Sequence, residues 1–236
     1  MRKILVALMA MVMTLGASAQ GFDASRLGVR LSIDAARPGD LSTGDGYTKL
    51  SIFGSGAGFS LGAVYKVDLT DNLFIEPGLG FYYNTFSINN HFLGDMIEDM
   101  LESIGADMDY KTTSRSVRRF GMRIPVMIGY TFPLKDDFSF RVFTGPMLDV
   151  GLSADMYYGM KIDGYDIHKA ASLYGKNRML NRVDCYWNIG AGVTFAEHYY
   201  LGLQADLGMC NMAKKSDGYK PSLHENVVQL TFGYNF

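Results

Sequence analysis

The stretch VVQLTFGYNF, residues 227–236, alternates regularly between apolar and polar side chains. One parity carries Val228, Leu230, Phe232, Tyr234 and Phe236. The other parity carries Gln229, Thr231, Gly233 and Asn235. Successive side chains of a β-strand point to opposite faces, so a period of two predicts a strand with one apolar face. The stretch therefore predicts a long β-strand that finishes on an aromatic ring.

Segments with the same alternation recur along the whole chain. We predict eight strands, at residues 27–34, 57–67, 73–83, 119–132, 138–151, 183–196, 199–210 and 226–236. The long connections are 35–56, 84–118 and 152–182, with a medium one at 211–225; the short ones lie around 70–72, 135–137 and 197–198. Alternation of short turns with long loops is typical of outer-membrane barrels. The predicted fold class is all-β, an eight-stranded antiparallel up-and-down transmembrane β-barrel.

The glycines indicate which face of this barrel meets lipid. Most strand glycines share a parity with the charged residues, among them Gly28, Gly62, Gly80, Gly121, Gly192 and Gly233. A soluble barrel of the lipocalin kind would turn this face outward, where glycine weakens strands without any gain. In a narrow barrel with this face inward, the glycines leave room near the barrel axis. We therefore predict that the apolar parity faces lipid, with aromatic girdles at both interfaces. The last strand must then pair with the first, because lipid tolerates no open sheet edge.

Composition and the first residues agree with an exported β protein. The chain has 236 residues, 48% of them hydrophobic and 13% aromatic, with 27 glycines. Residues 1–19 predict a signal peptide, with Arg2 and Lys3, an apolar stretch and a small-residue cleavage site ending at Ala19. Residues 20–236 are then one barrel domain. Removing Arg2 and Lys3 takes the formal net charge from −2 to −4, which argues against a nucleic-acid partner. No later apolar run is long enough for a transmembrane helix.

Five strand segments resemble a known family. They are LFIEPGLGFYY (73–83), RIPVMIGYTF (123–132), FRVFTGPMLDVGLS (140–153), WNIGAGVTF (187–195) and YYLGLQADLGM (199–209). Together they resemble the PorT-like, or "porin family", outer-membrane β-barrel domain. The resemblance implies a place in the outer membrane of a Gram-negative-type bacterium, with outer-membrane lipid and the barrel-assembly machinery as partners. Phe236, with Phe232 and Tyr234 on the same parity, resembles the signal that this machinery reads.

Charged residues on the predicted inner face form a candidate interior network. They are Arg30, Lys66, Glu76, Arg123, Arg141, Asp149, Asp184 and Asp206, with Asp34 as a further acid. An eight-stranded barrel is just wide enough to be filled by its own side chains. We expect a structural ion network, and a narrow ion path is the alternative.

The second outer loop contains FLGDMIEDMLESIGADMDY, residues 92–110. Its apolar residues follow a helical i, i+3, i+4 spacing: Leu93, Met96, Ile97, Met100, Leu101 and Ile104. Acidic residues occupy the other face. We predict a short extracellular amphipathic helix. Its apolar stripe packs on the barrel's own rim or binds a partner.

The remaining candidates are two cysteines and three histidines. Cys185 and Cys210 lie near the outer ends of neighbouring strands but on opposite parities, which prevents a disulfide unless a bulge intervenes. We expect two free thiols. His91, His168 and His224 fall in outer loops, and no nucleophile motif accompanies them.

The sequence thus predicts no catalytic residue, no cofactor and no metal site. We expect a monomeric barrel with a structural role or a binding role carried by its loops, with an extracellular or envelope protein as partner. Three alternatives stay open. They are an envelope lipid-modifying enzyme marked by a convergent His/Ser or His/Asp pair at the rim, a membrane subunit of a protein-secretion apparatus, and a narrow pore.

Overall fold

The computed structural model describes residues 23–42, 49–89, 110–134, 137–162, 165–175, 178–215 and 221–236. Eight long strands form the barrel: β1 (Leu27–Pro38), β2 (Phe53–Tyr65), β3 (Leu73–Ile88), β4 (Tyr110–Pro133), β5 (Phe138–Ile162), β6 (Val183–Phe195), β7 (Tyr199–Gly208) and β8 (Glu225–Asn235). Each pairs antiparallel with the next, and β1 pairs with β8 to close the barrel. The prediction of eight antiparallel strands is confirmed.

The outward face is a continuous apolar band. Leu31 of β1 lies opposite Phe232 of β8 on one side and Leu61 of β2 on the other. Leu31 and Leu61 are 49% and 54% exposed. Apolar side chains exposed to this extent are unfavourable in water. In a bilayer they contact the acyl chains of the lipids, and their exposure has no cost.

Aromatic rings border this band at the end that carries the short turns. Phe138, Phe195, Tyr199 and Tyr234 form a chain of neighbouring rings across four strands, with centroids 4.8 to 6.4 Å apart. A second group marks the opposite border, where Phe81 stacks on a ring of β4 at 6.1 Å. Two aromatic borders are the girdles expected of a transmembrane barrel.

The outer ends of two strands extend far beyond the predicted boundaries. β4 has 24 residues and β5 has 25, whereas a tilted strand crosses the membrane with about 9–11 residues. Tyr165–Ser172 adds a third strand against the end of β5. The prediction of a loop over 152–182 was wrong here. In the residues that extend β5, apolar and polar side chains alternate less clearly than in the membrane-spanning part of the strand.

The smaller elements lie at the ends of the barrel. Ala24–Arg26 is a 3-10 turn before β1, Val67–Asp68 pairs with β3, and Leu41–Ser42 pairs with Lys49–Leu50. None of the helices in the described ranges has the length and apolar character to cross a membrane. The described ranges contain no α-helix either, and the helix predicted from residues 92–110, with its stripe from Leu93 to Ile104, lies outside them.

The turn between β6 and β7 adopts an unfavourable backbone. Ala196 and Glu197 have φ angles of 49° and 60°, a left-handed region that costs non-glycine residues roughly 1–2 kcal/mol each. Asparagine and glycine tolerate this region far better.

We therefore expect Ala196→Asn combined with Glu197→Gly to raise the free energy of unfolding by about 1 kcal/mol. Urea unfolding of the barrel in lipid vesicles measures the change. An unchanged or lower unfolding midpoint would show that the turn is not strained.

Candidate functional site

The barrel interior holds a dense set of buried charges. Among the described residues, four arginines and six acids are less than a tenth exposed: Arg30, Arg119, Arg123, Arg141, Asp34, Glu76, Asp149, Asp184, Asp206 and Glu225. They come from seven of the eight strands, since every second residue of a strand points inward. A buried charge is tolerated only when it is paired and hydrogen-bonded, so the partners decide what this interior does.

The lower cluster lies nearest the short turns. Arg141 donates two hydrogen bonds of 2.8 Å to the two carboxylate oxygens of Glu76. Arg30 approaches the same carboxylate at 3.5 Å and donates to the Asn235 side chain at 2.8 Å. The Tyr200 ring lies between the two guanidinium groups, 4.6 Å from Arg30 and 4.2 Å from Arg141. Cation–π contacts and a shared carboxylate hold the two like charges together.

The upper cluster is organised around Tyr82. Its hydroxyl donates to Asp149 at 2.8 Å and accepts from Arg119 at 3.1 Å. Arg119 also donates to Glu225 at 2.5 Å. Arg123 lies against the Tyr82 ring at 4.4 Å. Because each of these groups bonds to two others, the cluster forms a rigid plug rather than a set of separate pairs.

Two acids of the interior have no arginine partner among the residues that the structure describes. Asp206 accepts hydrogen bonds from the side-chain amides of Asn188 and Gln229. Asp184 accepts only from the backbone of Cys185, at 2.8 Å, and its second oxygen is buried without a partner among the described residues. Arg123 meanwhile pairs with Asp34 at 2.7 Å.

Glycines make room for the large inward side chains. A Cβ atom at Gly121 would lie 2.6 Å from the Tyr82 ring, and one at Gly192 would lie 2.5 Å from the Tyr200 ring. Each ring therefore lies over a glycine of another strand. This explains why glycines and charged residues share one parity in the sequence.

An apolar cap covers the outer end of the interior. Its buried side chains come from the strand ends and from the loops at 39–52, 173–182 and 209–224: Ile52, Phe86, Ile88, Val117, Leu173, Tyr174, Leu180, Met212, Ala213 and Leu223. Burial raises the pKa of the Tyr174 phenol, which keeps it neutral. The opposite end is open: a cavity of about 680 Å³ lies between the short turns and the cluster of Arg30, Glu76 and Arg141. The interior is thus a cavity that the described residues close at the outer end and leave open at the end of the short turns.

The structure brings together five of the predicted interior residues and separates three. Arg30, Glu76, Arg123, Arg141 and Asp149 share ion pairs. Asp184 and Asp206 are buried in the same interior, but no guanidinium group among the described residues pairs with them. Lys66 lies at the open mouth, where it pairs with Asp68 at 2.9 Å and both side chains are about two-fifths exposed. It lines the same cavity as Glu76 and Arg141 but lies outside the buried clusters, because β2 ends one residue before it.

Sequence reasoning missed Arg119 and Glu225 and the tyrosines that join the clusters. Arg119 has the same parity as Arg123, so its inward position could have been predicted from the sequence. Glu225 fell in a predicted loop, because the sequence did not show that β8 starts there. Tyr82 and Tyr200 share the parity of glycines, a signal that marks a large inward ring beside a small neighbour.

Cys185 and Cys210 form a disulfide, with Cα atoms 5.2 Å apart, so the prediction of free thiols was wrong. β7 ends at Gly208, and the backbone N–H groups of Met209 and Cys210 both approach the carbonyl of Cys185, at 2.9 and 3.3 Å. Two residues opposite one are the pattern of a bulge, which turns Cys210 to the side of Cys185. The bond fixes the start of the loop that carries Met212 and Leu223.

The outer parts of β4 and β5, residues 110–119 and 152–162, form with Tyr165–Ser172 a three-stranded sheet that we call the blade. β3 accompanies β4 only up to Ser116. Beyond that level the blade rises without β3 from Ser116 to Tyr110, about 20 Å along the strand at about 3.3 Å per residue. Tyr165 at its tip is 77% exposed.

One of the outer histidines has a serine partner. The Oγ of Ser222 lies 3.2 Å from Nε2 of His224, on the outward parity of the residues that precede β8. No acid among the described residues hydrogen-bonds the other nitrogen of this ring. His168 lies on the blade, and His91 lies outside the described residues.

We expect Arg141→Met to lower the free energy of unfolding by about 3 kcal/mol, because Glu76 loses its two-pronged partner. Replacing both partners, as Arg141→Met with Glu76→Gln, should restore at least half of this loss. Lys66→Met at the exposed pair is the matched control and should change it by less than about 0.5 kcal/mol. Equal losses for Arg141→Met and Lys66→Met would contradict a buried network.

For the disulfide, we expect the purified protein to resist thiol alkylation until it is reduced. Cys185→Ser with Cys210→Ser should lower the free energy of unfolding by about 3 kcal/mol. Reductant should lower the urea midpoint of the natural protein and leave that of the double variant unchanged. Alkylation without reductant would show that the bond is absent.

Comparison with known proteins agrees with this architecture. A family model for the outer membrane protein beta-barrel domain matches residues 5–236. No curated protein sequence matches the chain at a significant level. Among solved structures, the chain is similar to the attachment invasion locus protein Ail of Yersinia pestis, at 12% identity and a TM-score of 0.36, over 89% of this chain and 97% of that one.

Two further solved structures show likeness of the same order. One is Neisserial surface protein A, at 12% identity and a TM-score of 0.40, over 89% of this chain and 97% of that one. The other is the outer membrane enzyme PagL, at 13% identity and a TM-score of 0.37, over 87% and 99%. Since the family model spans nearly the whole chain, the protein belongs to the outer membrane protein β-barrel domain family, and its barrel lies in the outer membrane.

Proposed function

We propose that this protein is a loop-displaying surface protein whose blade binds a protein partner outside the cell. The observation that carries the proposal is the length of β4 and β5, which have more than twice the residues that crossing the membrane needs. A barrel with a purely structural role gains nothing from a sheet that rises out of the membrane. A rigid sheet also keeps a binding surface in place at little cost in conformational entropy.

The closed interior supports a role on the outer surface. The apolar cap covers the outer end of the charged interior, and the ion pairs below it are tightly bonded. A pore needs a continuous water path, whereas here the open cavity stops at the Arg30, Glu76 and Arg141 cluster. We therefore rank the pore below the binding role.

The blade offers two features that suit a protein partner. The outer edge of Tyr165–Ser172 has no strand beside it among the described residues, so its backbone groups are free to pair with an added strand. Asp166 and Lys169 on this strand are exposed, and such charges discourage unspecific pairing. The large exposed ring of Tyr165 at the tip suits an anchor residue.

Three finer expectations belong to this proposal. The first is that the chain belongs to a PorT-like subgroup of the family. The second is that it is exported by a signal peptide that is cleaved after Ala19. The predicted 92–105 helix, if it forms, would add its apolar stripe to the outer surface. A secretion subunit is a variant of the same binding role, with the partner in the envelope.

Site-specific photo-crosslinking in intact cells tests the binding role. Benzoylphenylalanine in place of Tyr165 should give a discrete adduct with another protein. The same group in place of Tyr199, which is 58% exposed at the lipid border of the short turns, is the matched control and should give none. Both variants should keep the heat-modifiable migration of a folded barrel. Absence of a protein adduct at Tyr165 in folded protein would contradict the proposal.

The Ser222–His224 pair favours a second function, hydrolysis of an envelope lipid. It is a His/Ser pair on the outward parity close to the lipid face. It ranks second because no acid in the described part of the chain orients the imidazole, as serine hydrolysis normally needs. If it were active, Ser222→Ala would change the acyl-chain composition of the envelope lipids, and a fluorophosphonate probe would label Ser222. We expect neither result.

A further inference from the structure

A shallow pocket lies on the outward face of the blade, just above the membrane-spanning part of the barrel. It has a volume of about 320 Å³ and is lined by Ser116, Arg118, Tyr157, Tyr158, His168, Lys169 and Ala170. These residues come from all three strands of the blade, in adjacent registers. The pocket is therefore held by a paired sheet rather than by a loop.

The height of the pocket follows from the aromatic borders. Arg118 is the next outward residue above Phe120, whose ring stacks on Phe81 at the outer border. Phe120 and Tyr130 are separated by ten residues of β4, and a tilted strand of that length spans about 25 Å, the height of the apolar band. Arg118 thus lies at the level of the lipid headgroups. Its register partner on β3 is the polar Thr85, which is consistent with a border.

Arg118 provides the exposed guanidinium group of the pocket. Its guanidinium group lies over the Tyr157 ring at 4.6 Å, and it is exposed. Asp155 is its register partner on β5, yet no ion pair joins them in the described part of the chain. The arginines of the interior each have a carboxylate within 4 Å, whereas no acceptor among the described residues occupies the N–H donors of Arg118. A ring that supports the flat face of a guanidinium group leaves its edge directed outward.

The neighbouring groups add donors of the same kind. His168 and Lys169 are exposed on the third strand, and Ser116 contributes a hydroxyl. A planar guanidinium fork with adjacent N–H and O–H donors matches a phosphate group, which accepts two parallel hydrogen bonds from arginine. Phosphate is also the charged group that membrane lipids carry at this height.

We propose that this pocket binds the phosphate of an outer-leaflet lipid headgroup. Arg118 donates to the phosphate oxygens, His168 and Ser116 complete the contacts, and the acyl chains lie along the outward rings of Phe120 and Phe81. The pocket opens sideways above the lipid face, so a headgroup reaches it from the leaflet. Binding here would fix the base of the blade relative to the membrane, whether or not the blade binds a protein partner.

Lipid retention in detergent solution, followed by native mass spectrometry, tests the proposal. The probe is a diphosphorylated glycolipid with saturated acyl chains, compared with its dephosphorylated form. The natural protein should retain one phosphorylated lipid and bind the dephosphorylated lipid at least tenfold more weakly, as expected for a charged hydrogen-bond partner. Arg118→Ala with His168→Ala should weaken retention of the phosphorylated lipid by roughly tenfold or more.

Two controls make the result specific. Arg37→Ala removes an exposed, outward-facing arginine near the outer end of β1, far from the pocket, and should change retention by less than about twofold. Arg118→Lys keeps the charge but loses the planar fork, so it should bind with intermediate strength. Because Arg118 is exposed and lies outside the interior network, both Arg118 variants should migrate as folded barrels.

Three outcomes would overturn the proposal. Equal retention by the Arg118→Ala, His168→Ala protein would show that the pocket is not the site. An equal loss with Arg37→Ala would show that general surface charge holds the lipid. Displacement of the lipid by inorganic phosphate at equal concentration would show that the pocket prefers a dissolved anion to a headgroup.

Discussion

The pairing of β1 with β8 is the constraint on which the rest of the structure depends. Hydrocarbon offers no hydrogen-bond partner to a free strand edge, so the sheet must close on itself. The register Leu31↔Phe232 sets one apolar row on the outside, and a slip of β1 by one residue would turn Arg30 and Asp34 into lipid. Closure with eight strands also fixes a narrow interior, which the protein has to fill with its own side chains.

The interior shows how a narrow barrel is filled with polar side chains. Large rings such as Tyr82 and Tyr200 lie over glycines of other strands, and their faces and hydroxyl groups bind arginines. The arginines in turn neutralise carboxylates from distant parts of the chain, as Arg119 does with Glu225. The charge set therefore acts as the core of the domain, and the apolar cap continues it outward.

The sequence predicted what depends on strand periodicity. The number of strands, the lipid-facing parity and the inward position of Arg30, Glu76, Arg123, Arg141 and Asp149 all follow from a period of two. What it could not predict depends on where that period ends. Lys66 lies one residue past β2, and Glu225 opens β8. Cys210 lies past the end of β7, where a bulge cancels the parity rule. The blade was not predicted either. Its strands lie in water and need no regular apolar face, so their sequences lack a clear period of two.

The length of the blade and the closed interior support the proposed binding surface outside the cell, and the phosphate pocket proposed at the blade's base would couple that surface to the leaflet. The binding role, unlike the phosphate pocket, depends on an interior that conducts nothing. Electrical recording from the purified protein in planar lipid bilayers at neutral pH tests this most directly. A filled core and a closed outer end predict no steady conductance steps after insertion. Reproducible single-channel steps would contradict the closed interior and make the protein a pore.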